Sequence, residues 1–156
     1  FVCENNMYAI SVHESLQVAG RVYKRAEGYG FPGVEGDGND VLESYRLTKE
    51  AVDRARAGEG ATLIELRTYR FYSHTSDDDD RTYRSREEVE EWRKKDPIPR
   101  FEAYLKSVDI IDDARIEDIR AEAKEYVDEG AKQAEEADFP DPSTAAKNVY
   151  ADLEVE

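Results

Sequence analysis

The stretch ATLIELRTYRFYSHTSDDDDRTYR, residues 61–84, decides the fold. Its first part, Ala61 to Arg67, is rich in Leu and Ile and reads as a strand. The next 17 residues, Thr68 to Arg84, crowd Tyr, Arg, His, Thr and four Asp together with almost no aliphatic side chain. A segment of that length and composition is too long for a simple connector, so it is either disordered or functional. Loops at the carboxyl ends of strands are also where open α/β sheets bind ligands. The chain start, FVCENNMYAIS at residues 1–11, repeats the pattern of a short apolar run followed by a polar cluster.

Working outward, Phe1 to Cys3 reads as the end of a buried strand and Glu4 to Val12 as a polar loop. Val18, Val22, Ala26 and Tyr29 form a helical stripe over Val18 to Tyr29, stopped by Gly28, Gly30 and Pro32. Gly33 to Gly36 is a short strand closed by the turn Gly36-Asp37-Gly38. Asp40 caps a second helix, with Glu43 three residues on as a capping box. Val41, Tyr45, Thr48, Val52 and Ala55 are its expected apolar stripe, and Gly58 and Gly60 stop it. The resulting strand–helix–strand–helix–strand order implies an α/β fold, a parallel sheet with covering helices.

Downstream the style changes. Ser85 to Lys95 is a short charged helix with Ser85 and Glu88 as its capping box and Val89 and Trp92 as its apolar side. Pro97 and Pro99 break it, and Phe101, Tyr104 and Leu105 mark another short helix. Asp112 to Glu136 is a long helix with Ile116, Ile119, Ala123, Tyr126, Val127, Gly130 and Ala134 on one face. DFPDPST is a Pro-rich polar linker, and Asn148 to Leu153 is expected to dock as a short terminal element. There is no internal repeat.

The chain has 156 residues, enough for one domain with a real core. Its 37 acidic and 22 basic side chains give a net charge of -15. That balance argues against nucleic acid, which needs a basic footprint, and against anionic membrane surfaces. Two readings of the acidity compete: a disordered acidic segment, or a folded protein with an acidic surface, as in organisms with high internal salt. Ten Tyr, five Phe and one Trp favour the folded reading, and salt adaptation is the expectation. The single cysteine, Cys3, makes no internal disulfide and suits a reducing, cytoplasmic setting. In an apolar run it reads as a buried small hydrophobe rather than a nucleophile. No apolar run approaches transmembrane length, and none reads as a signal peptide. Phe1 opens inside a strand pattern without an initiator Met, so the chain is expected to be the later part of a longer protein.

Asn5 and Asn6 sit just past an apolar strand. An Asn side-chain carbonyl is a hard oxygen ligand suited to Mg²⁺; the alternative is an Asx turn that ends the strand. His74 lies among polar neighbours, flanked by Arg70 and Arg84, which have the geometry to hold a phosphate or carboxylate. A histidine there donates hydrogen bonds or acts as acid or base near neutral pH; the alternative is a surface histidine in a solvated loop. His13 has no similar company. Asp77 to Asp80 lacks the alternating spacing and glycine of a calcium loop and reads as a solvated acidic stretch. There is no P-loop, no zinc spacing and no Ser/His/Asp nucleophile pattern.

Three blocks in order and spacing, FVCENNMYAIS, GFPGVEGDGNDV and GATLIELRTYRFYSHTSDDDDRTYRSREEVEEWRKKDPIPRF, resemble the alpha subunit of the thiamine-diphosphate-dependent 2-oxo acid dehydrogenases. That family includes the decarboxylating components of the pyruvate and branched-chain 2-oxo acid complexes. The resemblance covers nearly the whole chain, and the tail DFPDPST…NVYADL also looks like that family's end. HTSDDDDRTYRS looks most like the branched-chain branch, and Cys-Glu-Asn-Asn more like the pyruvate branch. The family's Gly-Asp-Gly metal segment precedes its Asn pair, whereas Gly36-Asp37-Gly38 follows it here, so that stretch reads as a turn.

The resemblance implies a thiamine-diphosphate-binding fold over residues 1–84 (its C-terminal part), a helical extension over 85–136 and a tail over 137–156. It implies Asn6 and the Tyr8 backbone carbonyl as Mg²⁺ ligands, with a third, acidic ligand absent from this chain. His74 is implied at the cofactor diphosphate and catalytic centre. Arg70, Asp78, Tyr83 and Arg84 are implied to order the loop at the active-site mouth, where the lipoyl domain meets it. Thr75 stands at the position of a regulatory phosphoserine in mitochondrial relatives, and phosphate there would add charge beside His74 and disturb loop order. Tyr72-Ser73 stands where the family commonly has a small residue, and Asp79 replaces a frequent proline. The implied activity is oxidative decarboxylation of a 2-oxo acid with acyl transfer to lipoamide. It is carried out with a beta subunit in an α2β2 assembly, and without that subunit this chain is expected to be inactive. An acetoin-type thiamine-dependent cleavage subunit and a non-catalytic alpha homologue with an assembly or regulatory role are the rivals.

Overall fold

Three parallel strands carry the computed structural model, which describes residues 1–147. β1 (Val2–Asn5), β4 (Gly33–Asp37) and β5 (Leu63–Arg67) pair in the order β1-β5-β4. The register sets Cys3 and Glu35 beside Glu65, and Asn5 and Asp37 beside Arg67. A two-stranded hairpin, β2 (Tyr8–Ala9) with β3 (Val12–His13), follows β1. The α/β parallel architecture is as the element order implies.

Two glycines in β4 let helices close on opposite faces of the sheet. A Cβ on Gly33 would meet the Tyr23 carbonyl of the 3-10 helix Tyr23–Tyr29. A Cβ on Gly36 would meet Leu47 of α1 (Val41–Arg56). Because side chains alternate along a strand, residues 33 and 36 face opposite ways. Ile64 and Leu66 therefore lie on the α1 face. Glu35, Glu65 and Arg67 lie on the face of the 3-10 helix, where the Tyr23 N–H donates to Glu65. A buried parallel strand usually reads as a near-continuous apolar run; here one face is polar.

Several expectations are corrected. The stripe on Val18 to Tyr29 gives only a 3-10 helix from Tyr23, with Ala26 as its buried residue. α1 is capped by Asp40, which accepts from the Leu42 and Glu43 amides, so one half of the capping box is formed. Its inward residue is Leu47, which fits against Gly36 of β4; Val41, Tyr45 and Val52 of the expected stripe are exposed. Phe1 and Val2 are exposed rather than buried, since β1 is an edge strand. Glu4 to Val12 is not one loop: β1 runs to Asn5 and the hairpin begins at Tyr8.

α2 (Arg86–Arg93) is capped by Ser85, which accepts from the Glu88 amide, and it buries Val89. α3 (Pro97–Ser107) starts on Pro97, a residue that ends one helix and suits the first turn of the next. Asp96 caps α3, and Arg100 ties it back to Asp37 and Asp40 at 2.9 and 2.6 Å. Residues up to Ile110 form one compact unit, and a second begins at Ile111. The second holds α4 (Asp113–Glu136), capped by Asp112. Of its expected apolar face, Ile116 is buried while Ile119, Tyr126 and Val127 are exposed. A 3-10 turn, Pro142–Thr144, lies in the polar tail. The terminal element expected at Asn148 to Leu153 lies outside the described residues.

Candidate functional site

β1 delivers the chain into two successive Asx turns. The Met7 N–H donates to Asn5 Oδ1 and the Tyr8 N–H to Asn6 Oδ1, each at 3.1 Å. Met7 is left-handed, with φ 73°, a conformation that is uncommon for a residue with a side chain and is held only where the surroundings dictate it. The Glu14 N–H donates to the Met7 carbonyl at 2.8 Å. Pairs in an antiparallel ladder alternate, so Tyr8–His13, the next pair, is a non-hydrogen-bonded one. That turns the Tyr8 carbonyl away from β3, to the edge where the Tyr8 N–H meets Asn6 Oδ1. Two hard oxygens thus share one edge, and the Asn6 oxygen keeps a second lone pair. The Asx turn and the ligand reading are compatible. Asn6 and Tyr8 line a cleft of about 240 Å³, with Cys3, Glu14 and Val18 among its walls. Cys3 is half-buried, and burial, followed by the nearby Glu65 charge, raises its thiol pKa, which suits a packing residue better than a nucleophile.

Beneath this loop lies the polar face of the sheet. Asn5 Nδ2 donates to Glu14 Oε2 and to Glu65 Oε1, both at 2.7 Å. Arg67 forms an ion pair with Glu14, and that hydrogen bond holds the Glu14 carboxyl below the usual range against the opposing effect of burial.

The Tyr8 side chain connects the loop to the rest of the unit. Its hydroxyl and that of Tyr69 both donate to Glu88 Oε1 at 2.8 Å. Burial, reinforced by the Glu88 carboxylate, pushes the Tyr69 phenol up to about 12 and raises that of Tyr8 further. Around the Tyr8 ring stand His13 and Tyr83, with centroids at 5.2 and 5.7 Å, and the guanidinium groups of Arg70 and Arg84 at 5.9 and 5.7 Å. His13 caps a 3-10 turn by accepting from the Ser15 amide, and its ring meets the Tyr8 ring edge-on, company that its sequence neighbours do not reveal.

Thr68 to Arg84 is ordered by its own side chains. Arg70 Nη2 donates to the Ile10 carbonyl at 2.6 Å and to the Tyr83 hydroxyl at 3.0 Å. Tyr83 in turn donates to Asp78 Oδ2 at 2.5 Å, and the His74 N–H donates to the same oxygen at 2.9 Å. The Tyr83 hydrogen bond, then the His74 amide, lowers the Asp78 pKa. His74 and Thr75 are exposed. Arg70, Asp78, Tyr83 and the His74 backbone are therefore brought together. The His74 ring is not tied to Asn6.

Two sequence readings are corrected here. Arg84 is not free to hold an anion: it is buried, pairs with Asp80 and donates to the Arg70 and Phe71 carbonyls. Nor is Asp77 to Asp80 simply a solvated run. Asp80 is buried in that pair, Asp78 anchors His74, and Asp79 caps the 3-10 turn Asp80–Thr82. This part of the acidic loop folds because the carboxylates of Asp78, Asp79 and Asp80 find local donors.

Residues 1–143 match the model of the dehydrogenase E1 component family. The chain belongs to that family. Among curated members of the E1 family it is 49% identical over 152 residues to the 2-oxoisovalerate dehydrogenase subunit alpha of Bacillus subtilis, covering 97% of this chain and 46% of that protein. It is 42% identical over 154 residues to the 3-methyl-2-oxobutanoate dehydrogenase subunit alpha of Mycobacterium tuberculosis, covering 98% and 42%. It is 39% identical over 155 residues to the pyruvate dehydrogenase E1 component subunit alpha of Staphylococcus aureus, covering 98% and 42%. The chain thus spans less than half the length of each of these E1 relatives.

The sequence reading gives no site role to Glu65, Glu88 or Glu14. For Glu65 a signal existed: a lone carboxylate in the middle of an apolar strand. Glu88 was assigned only to helix capping, yet its side chain takes both tyrosine hydroxyls. Nothing local marks Glu14.

Proposed function

We propose that this chain is part of the alpha subunit of a thiamine-diphosphate-dependent 2-oxo acid dehydrogenase. The observation that carries the reading is the shared edge of Asn6 Oδ1 and the Tyr8 carbonyl beside a cleft. Two neutral, hard oxygens suit Mg²⁺, which takes few protein ligands and completes its shell with phosphate and water. In this reading Asn6 and Tyr8 hold Mg²⁺ on the cofactor diphosphate. When bound, thiamine diphosphate supplies a nucleophilic carbon and an electron sink for decarboxylation of the 2-oxo acid.

The remaining roles belong to the loop. His74, exposed at its tip, offers a ring N–H as a hydrogen-bond donor to the reacting oxygen. Arg70, Asp78 and Tyr83 fix the backbone that presents His74, and the Arg84–Asp80 pair closes the loop base. That surface is the contact proposed for the lipoyl domain, which takes the acyl group. Phosphate on Thr75 would place further negative charge beside Asp77 to Asp80 and strain the same hydrogen bonds. A beta subunit in an α2β2 assembly completes the site. Residues 1–84 are the cofactor-binding part and 85–136 a helical extension. We place the enzyme in the cytoplasm. No helix among the described residues is long and apolar enough to cross a membrane.

Both relatives named for the branched-chain acid share more identities with this chain than the one named for pyruvate, so we put the branched-chain acid first. The test is 2-oxo-acid-dependent reduction of an artificial electron acceptor. It uses the full-length alpha subunit with its beta subunit, thiamine diphosphate and Mg²⁺ in molar KCl. Turnover with 3-methyl-2-oxobutanoate ahead of pyruvate is the expected result, and the reverse preference names the pyruvate branch. No turnover with either acid, from a folded and cofactor-saturated complex, contradicts the proposal and favours an acetoin-type or non-catalytic subunit. Activity and fold retained at high KCl fit a salt-adapted surface; their loss contradicts it.

A further inference from the structure

We propose that Glu65 is a positioning residue for the metal loop, acting through Asn5; the inference rests on the reading of Asn6 and Tyr8 as Mg²⁺ ligands. Glu65 is fully buried, at 0% exposure, on the central strand of the sheet. Burying a carboxylate is costly, and an apolar side chain of similar volume often serves stability as well or better. Its place is explained by what it holds. One oxygen accepts from Asn5 Nδ2 at 2.7 Å and the other from the Tyr23 N–H at 2.9 Å. The nearest cationic nitrogen paired with it, Arg67 Nη1, lies at 3.8 Å, beyond hydrogen-bond reach.

Asn5 is thereby fixed in orientation as well as in place. Its amide nitrogen is shared between Glu65 and Glu14, so only the donor end fits between the two carboxylates. Its carbonyl must then point the other way, where it accepts the Met7 N–H. Met7 lies between the two proposed ligands and holds the left-handed φ of 73°. A strained residue of that kind persists only when its surroundings over-determine it. The chain of contacts from Glu65 through Asn5 to Met7 supplies that constraint, and it sets where the Asn6 and Tyr8 oxygens lie.

The test uses the full alpha subunit with its beta subunit and thiamine diphosphate. Mn²⁺ is the probe, and its free concentration is read by electron paramagnetic resonance. In Glu65→Gln the new amide must face either Asn5 Nδ2 or the Tyr23 N–H, donor against donor. The expected result is a Mn²⁺ dissociation constant raised ~10-fold to ~100-fold, the usual effect of losing an outer-shell partner. Asn5→Ala should do the same, and the double variant should be no worse than the poorer single one, because both break one link. Leu47→Ala, on the other face of the sheet, should lower the melting temperature while leaving Mn²⁺ affinity unchanged, which separates positioning from general stability. Wild-type affinity in folded Glu65→Gln or in Asn5→Ala overturns the inference, as do effects that multiply. If Glu65→Gln does not fold, Asn5→Ala decides alone. Asn6→Ala separates the two levels. Affinity lost there but kept in Glu65→Gln sinks the positioning role only, and affinity kept in Asn6→Ala sinks the metal reading and this inference with it.

Discussion

Arg84 donates from Nε and Nη2 to one oxygen of Asp80, at 3.0 and 2.6 Å, and both side chains are buried. The pair closes the base of the loop that carries His74, and it converts an apparently solvated acidic run into a folded one. A buried pair of this kind is stable as a pair and costly when halved, because the survivor is left as an uncompensated charge.

Asp80→Asn should therefore destabilise the protein by ~3–5 kcal/mol. Asp77→Asn, three residues away and exposed, should stay within ~0.5 kcal/mol. Urea denaturation of the two variants checks this. Equal losses would mean that the pair does not hold the loop.

Tyr83 links Arg70 to Asp78 through one hydroxyl. Tyr83→Phe should cost only ~1 kcal/mol of global stability, the net worth of an ordinary hydrogen bond. The His74 amide, which donates to the same Asp78 oxygen, should nonetheless exchange its hydrogen markedly faster. Unchanged exchange at His74 would show that the loop is ordered by something else.

Ile10 opens the two-residue hairpin loop between β2 and β3 with φ 54°, and it is more than half exposed. A β-branched residue in that region is a true outlier, whereas Asn tolerates it. Ile10→Asn should raise stability by ~1 kcal/mol, since strain is relieved and little burial is lost. A thermal melt showing destabilisation would indicate that the Ile10 side chain makes up for its backbone.

Two pH limits follow from the site. Glu14 has its carboxyl lowered from the ordinary 4.5, first by Arg67, so its contribution is present above that value and is lost as pH falls through the folded pKa. Glu14→Gln should flatten the acid side of the stability profile. Tyr69 is raised from 10.0 to about 12, so its contribution is complete below the ordinary value and is lost as pH climbs between the two. Tyr69→Phe should flatten the alkaline side. Denaturation across the pH range reads both, and parallel profiles for variant and wild type would rule the assignments out.

Strong local signals made much of the fold legible in the sequence. Ala61 to Arg67 reads as a strand from its aliphatic content, and the strand forms over Leu63–Arg67; Asp40 and Ser85 announce α1 and α2 because a cap needs only its own next few amides. Long-range partners defeated the rest. The inward face of α1 could not be read from its apolar residues, because Gly36, on another element, decides that Leu47 is the one that closes. Arg84 looked like an anion ligand because its guanidinium fits phosphate, but Asp80 and two loop carbonyls claim it first. Asn5 and Asn6 were legible as a pair, while the carboxylates that hold Asn5 come from residues 14 and 65, whose approach only the folded sheet reveals.

The central claim is that Asn6 and the Tyr8 carbonyl hold the metal on which the cofactor rides. Isothermal titration of thiamine diphosphate into the full alpha subunit with its beta subunit, with and without Mg²⁺, tests it most directly. The account predicts binding that requires Mg²⁺ and that Asn6→Ala abolishes or weakens by at least ~10-fold. Binding of equal strength without the metal, or in Asn6→Ala, would contradict it.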